Sequence, residues 1–231
     1  MFEGFSPETS DFLWGISLNN DRTWFEAHRA EFERCLNQPF RALAADTLSR
    51  MAARWPEEDF QPHVARIYRD ARRLYGRGPY KDRLWFTLQR GQRHPVGPMF
   101  WFEIDGTGYS CGMGFWEGSA DLAAAFRASM DADPARFEAL ARSLPEDCRL
   151  WGDEYKRPKA DRGPILNPWY NRKSVSVGWE RLFGGLLYSP DLPEALTEDY
   201  SRLMPMYRYF WEVYDGLQAK TEGQRQLGLS E

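Results

Sequence analysis

A chain of 231 residues with 42% hydrophobic and 28% charged side chains can bury a substantial core, and ten Trp, eleven Tyr and fifteen Phe exclude a disordered chain. The formal net charge of -4 argues against a general nucleic-acid binder held by phosphate contacts. Cys35, Cys111 and Cys148 lie far apart with no CxxC spacing, which argues against a disulfide framework and points to a reducing, cytoplasmic setting.

The opening "MFEGFSPETSDFLW" carries acids where a signal peptide needs a basic start and an apolar run. No window approaches eighteen continuous apolar residues, so neither export nor membrane spanning is predicted. Ser6 as N-cap and Pro7 at the first helical position predict a short helix ending near Asn19. Asn20 or Asp21 caps a second helix, in which Trp24, Phe25, His28 and Phe32 recur at steps of three and four. A third follows Pro39, with Phe40, Leu43, Thr47, Leu48, Met51 and Trp55 on one face.

The middle changes character. "HVARIY", "RLWFTLQ", "PMFWFEID" and "GYSCGMGFW" are short, aromatic or β-branched, and punctuated by Gly and Pro as strands are, with "DGTG" as a hairpin turn. Ser119 and Asp133 cap two further helices, "SADLAAAFRASM" and "PARFEALARSL". A strand near "CRLWGDEY", a Pro-rich basic loop "KRPKADRGPILNP" and a strand "KSVSVGW" precede a long helix from about Pro193, which Pro205 should kink. Strands grouped between helices, without regular βαβ alternation, predict α+β. The expected architecture is a single domain over residues 1–219 with a largely antiparallel central sheet, N-terminal helices and a long C-terminal helix. A polar tail, 220–231, is expected to fray.

Charge is segregated. The stretch from His63 to Arg93 carries nine basic residues against Asp70 and Asp82, and Arg149 to Lys173 carries seven against three acids. Such segregation can focus a field on an anionic partner even in an acidic molecule. Within the first stretch, "RIYRDARRLYGRGPYKDR" places Arg66, Arg69, Asp70 and Arg72 where a strand runs out into a Gly/Pro loop, a common location for sites. Two readings stand side by side. In the structural one, Asp70 accepts bidentate bonds from a guanidinium and pins the loop. In the functional one, Asp70 orients Arg66, Arg69 or Arg72 and leaves donors for a phosphate or carboxylate, with Arg77, Tyr80 and Lys81 completing the set.

"NNDRTWF" with His28 and Arg29, then "RIYRDAR", then "PYK", together resemble the bacterial family known as domain of unknown function 2461. The resemblance is carried by Asn19, Asn20, Trp24, Phe25, Arg66, Arg69, Asp70, Arg72, Pro79, Tyr80 and Lys81, and later by "CGMGFW" and "RKSVSV". The family pattern places Phe, Asp and Lys where Arg73, Gly76 and Arg77 stand here. Arg77 keeps the positive charge. The resemblance implies a shared site and no particular reaction.

Asn19, Asn20 and Trp24 are candidate supporting residues, although the Asn pair also fits a helix end followed by a cap, and Trp24 a buried helix face. Arg172 and Lys173, with Trp169 and Tyr170 nearby, interleave cations and aromatics in a way that can hold a nucleotide or a single strand, or cover a sheet edge. No His lies at HxxxH spacing and no CxxC occurs, so no metal and no cofactor is called for. Cys111 falls in a predicted strand with no adjacent base and reads as a small buried residue. "GTGYSCGMG" lacks phosphate-loop spacing, and hairpin glycines explain it. Asp70 is the one evident candidate for a general base, and surrounding arginines would make it a poor one. The leading expectation is therefore binding of an anionic small molecule, phosphorylated or carboxylated, at the Arg/Asp loop, with catalysis left open. The alternatives are a nucleic-acid module joining the two basic stretches and a structural or interaction protein whose arginines are all paired.

Overall fold

The computed structural model describes residues 1–91, 97–115 and 119–226. Arg93 of the first basic stretch, Trp116 of the fourth expected strand and the end of the polar tail lie outside these residues.

Local chemistry explains the opening helices. Helix α1 (Pro7–Leu18) starts with Pro7 in its first turn, and the Thr9 hydroxyl accepts from the Ser6 N–H at 3.2 Å. It ends at Asn19, whose N–H and side-chain Nδ2 both donate to the Gly15 carbonyl at 2.9 and 3.0 Å. Helix α2 (Arg22–Ala27) is capped by Asp21, which accepts from the Trp24 N–H at 2.9 Å, and not by Asn20. The chain continues through α3 (Arg29–Glu31) and a wide π-helical turn, Phe32–Asn37, into α4 (Gln38–Arg54).

Six strands form one antiparallel sheet: β1 (Phe60–Val64), β2 (Arg83–Arg90), β3 (Met99–Asp105), β4 (Gly108–Phe115), β5 (Arg149–Trp151) and β6 (Val175–Leu182). Their spatial order is β1-β2-β3-β4-β6-β5. β1 begins three residues before the expected "HVARIY", with Pro62 opposite Leu88. A proline inside a strand is tolerated there because β1 is an edge, where one face of the ladder needs no donor. The β3–β4 turn is held by Asp105, whose Oδ1 accepts from the N–H of Thr107 at 2.7 Å and of Gly108 at 3.3 Å.

Ser119 and Asp133 cap α5 (Ala120–Ala132) and α6 (Pro134–Arg142) as expected. The Pro-rich stretch, in contrast, is not all loop. Gly163–Tyr170 forms helix α7 with a proline in its first turn, and Asn167 Oδ1 accepts from the Arg162 N–H at 2.7 Å. Helix α8 (Leu192–Gln226) is one helix through Pro205 and continues into the polar tail.

The chain divides into two compact units. The first takes residues 1–91, 101–111 and 180–199; its core holds Phe12, Ile16, Phe25, Phe32, Phe40, Phe86 and Phe102, with Phe86 and Phe102 stacked at 5.4 Å. The second takes residues 97–100, 112–115, 119–179 and 200–226. There Tyr207 of α8 stacks on Phe100 of β3 at 4.4 Å, and Phe210 packs on Phe115 of β4 at 5.0 Å, so the helix lies on the sheet. No helix is long and apolar enough to cross a membrane among the described residues. Cys35, Cys111 and Cys148 are all free thiols.

Candidate functional site: the Arg66–Lys81 segment

Beyond β1 the chain pairs with itself. The Ala65 N–H donates to the Trp85 carbonyl at 2.9 Å, Tyr68 bridges Tyr80 in antiparallel fashion, and the Arg69 N–H donates to the Pro79 carbonyl at 2.8 Å. Ala65, Ile67 and Tyr80 are buried, whereas Arg66 and Tyr68 face solvent. Apolar and polar positions thus alternate, and the basic side chains stay on the outside.

Tyr80 is the anchor. Its ring stacks on Phe25 at 4.2 Å, and both of its main-chain groups are taken by one side chain. Asn20 Nδ2 donates to the Tyr80 carbonyl at 2.9 Å, and Asn20 Oδ1 accepts from the Tyr80 N–H at 2.9 Å. The carboxamide therefore does what a neighbouring strand's peptide would do. It fits because residue 78 is glycine: a Cβ there would lie 2.2 Å from Asn20 Oδ1.

Arg69 and Lys81 also serve main-chain oxygens. Arg69, only 16% exposed, donates from Nε to the Tyr80 carbonyl at 2.6 Å and lies 3.3 Å from Asp82. Lys81 Nζ donates to the carbonyls of Tyr68, at 2.9 Å, and Arg66, and sits 4.9 Å from the Trp85 ring centroid. Burial, and then the nearby Arg69 and Arg66 cations, hold the Lys81 ammonium below the usual lysine pKa.

Asp70 accepts from the Arg72 N–H at 3.0 Å, capping the single 3-10 turn Ala71–Arg73, and from Arg72 Nε and Nη2 at 3.0 and 2.8 Å. That pair is in water, with Arg72 87% exposed. The clamp therefore shields no buried charge, and an asparagine can still accept the capping bond. Asp70→Asn is expected to leave the urea midpoint unchanged, because exposed ion pairs contribute little. A drop comparable to that of a core substitution would show that Asp70 carries weight beyond this contact.

The guanidiniums of Arg66 and Arg77 are exposed and bond no described residue. Of the supporting candidates, Asn20 joins the site, Asn19 only closes α1, and Trp24 stacks on His28 at 4.0 Å. Arg172 and Lys173 belong to the other unit. Arg172 donates to the carbonyls of Pro168 and Gly152 at 2.8 and 2.6 Å and pairs with Glu154 at 2.9 Å, while Lys173 is exposed.

Two clusters were not assembled from sequence, although Arg29 and Cys111 were met there singly. Arg29, held by Glu26 through bonds of 2.8 and 2.6 Å, donates to the Tyr68 hydroxyl at 3.3 Å; the Glu26-x-x-Arg29 spacing on one helical face was the available signal. In the same unit Arg181 donates to Asp199 at 2.6 Å, with Nη1 3.8 Å from Cys111 Sγ and Asp199 nearly buried. No spacing rule announces that cluster, because its members come from β4, β6 and α8.

The model of a family described as conserved hypothetical protein (DUF2461) matches residues 8–209. No curated protein matches the chain.

Proposed function

The chain belongs to the DUF2461 family, and on that premise we propose that it binds an anionic small molecule, phosphorylated or carboxylated, at the Arg66–Lys81 segment. The observation that carries the reading is the crowding of like charge. Burial first, and then the nearby Arg69 and Arg66, disfavour the Lys81 ammonium, and among the described residues only Arg69 of the three has a carboxylate within ion-pair distance, Asp82, which also neighbours Arg83 at 3.6 Å. A bound anion relieves that repulsion. Arg66 offers it a guanidinium that bonds no described residue, beside Lys81, which has two of its three donors on carbonyls and lies over the Trp85 ring.

The test is thermal denaturation with inorganic pyrophosphate or citrate at constant ionic strength. A ligand that binds only the native state raises the midpoint in a saturable way. Arg66→Ala, at an exposed position, is expected to fold with an unchanged midpoint and to lose the response. An equal rise in wild type and Arg66→Ala would refute the reading, because polyanions excluded from surfaces stabilise any protein. The pH dependence gives a second readout. A lysine whose folded pKa is depressed binds fewer protons folded than unfolded across the alkaline interval between the two values, so its contribution to stability rises with pH there. Saturating anion returns the Lys81 pKa toward normal and flattens that rise.

A further inference from the structure

We propose that the anion taken by this segment is the phosphate end of a free nucleoside phosphate, whose base stacks on Tyr68; the inference rests on the anion-binding reading above. Tyr68 is 47% exposed although it sits on a strand-like pairing, and its ring packs at 5.4 Å on buried Tyr80 and at 5.9 Å on Phe25, which fix it from the inside. Arg29 holds its hydroxyl tip at 3.3 Å. The ring is therefore an aromatic platform already ordered before any ligand arrives, which lowers the entropy cost of stacking.

Its placement relative to charge is the second point. Arg66 and Tyr68 both face solvent, and Lys81 Nζ donates to the main-chain carbonyls of both residues, which ties the ammonium to the stretch of backbone that carries them. Two residues of chain span at most roughly 7 Å. Side chains rooted that close on one solvent face can reach the base and the first phosphate of the same nucleotide. A simple carboxylate or inorganic phosphate would use the cations alone, whereas a nucleoside phosphate also uses the exposed part of the Tyr68 side chain. Stacking on an aromatic tolerates any base, so the class of ligand is specified and the base is not.

The experiment is calorimetric titration of the full chain with inorganic pyrophosphate, adenosine diphosphate, uridine diphosphate and a single-stranded oligonucleotide. The expected result is that both nucleotides bind roughly tenfold more tightly than pyrophosphate, the scale of one base-on-aromatic stack. Tyr68→Phe is expected to keep that margin and Tyr68→Ala to lose it while retaining pyrophosphate binding. Pyrophosphate binding with no nucleotide margin, or a margin that survives Tyr68→Ala, overturns this inference and leaves the anion site standing. An oligonucleotide bound more tightly than either nucleotide overturns it in favour of a strand-binding surface. Failure of every probe overturns the anion site as well.

Discussion

Gly78→Ala is expected to destabilise the protein by about 3 kcal/mol, the range in which overpacking against immobile backbone falls. The added Cβ would meet not only the Asn20 side chain at 2.2 Å but the Asn20 carbonyl oxygen at 2.4 Å, so a rotamer change cannot absorb it. Asn20→Ala reaches a comparable loss by the opposite route. It removes both bonds to Tyr80 and leaves the Tyr80 N–H without its acceptor, at about 1–3 kcal/mol for a buried unsatisfied group. The Tyr80 carbonyl keeps its bond from Arg69, which limits the damage. If alanine at 78 acts by expelling Asn20, the double variant loses little more than the worse single one, since both remove the same contact. Urea melts of the three variants decide it, and additive losses would mean that Gly78 and Asn20 act independently.

Asp199→Ala is expected to cost about 3 kcal/mol, because removing one partner of a buried pair strands the other charge. Burial opposes the Arg181 charge, and the hydrogen bond that Arg181 donates to the Asp199 carboxylate more than offsets it, so the guanidinium is held charged. Arg181 remains partly exposed and can turn toward water, which places the figure at the low end for buried pairs. Glu212→Ala offers the contrast. Its bonds to Arg136 are of similar length, at 2.9 and 2.7 Å, but both partners are about half exposed, and no measurable change in midpoint is expected. Replacing Arg181 and Asp199 together by leucine is expected to recover much of the loss, since an apolar pair carries no desolvation cost. A double variant as unstable as Asp199→Ala would show that the ion pair itself stabilises the fold.

The elements that were legible in the sequence are those whose signal is local. Ser6 with Pro7, Ser119 and Asp133 each announce a helix start in two residues, and each helix begins there. Helix α7 was hidden because Gly163 and Pro164 read as breakers, although a proline in the first turn is also a helix start, and only the residues after it separate the two cases. β1 was displaced because Pro62 argues against a strand unless the strand is known to be an edge, and an edge is a property of the whole sheet.

The site divides along the same line. That the basic residues gather on one segment was visible from composition. What they hold was not, since a guanidinium or ammonium carries no mark of its acceptor. Arg69, Lys81 and Arg172 turn out to serve main-chain carbonyls, Arg72 a surface carboxylate, and Arg66 and Arg77 no described residue. Asn20 illustrates the limit most sharply: its preference for caps is correct on average, and here the cap is its neighbour Asp21 while Asn20 reaches 60 residues along the chain.

The two sheet margins bear on how copies of this chain meet in a crowded solution. A sheet with long, regular margins templates the addition of a foreign strand and so invites fibrous association. Here one margin, β1, lacks the N–H of Pro62 and runs on only as irregular pairing from Ala65 to Arg69, and the other, β5, is three residues long with one isolated bridge beyond it. Neither offers the run of donors and acceptors that a recruited strand needs. Both margins are thereby poor templates for a recruited strand.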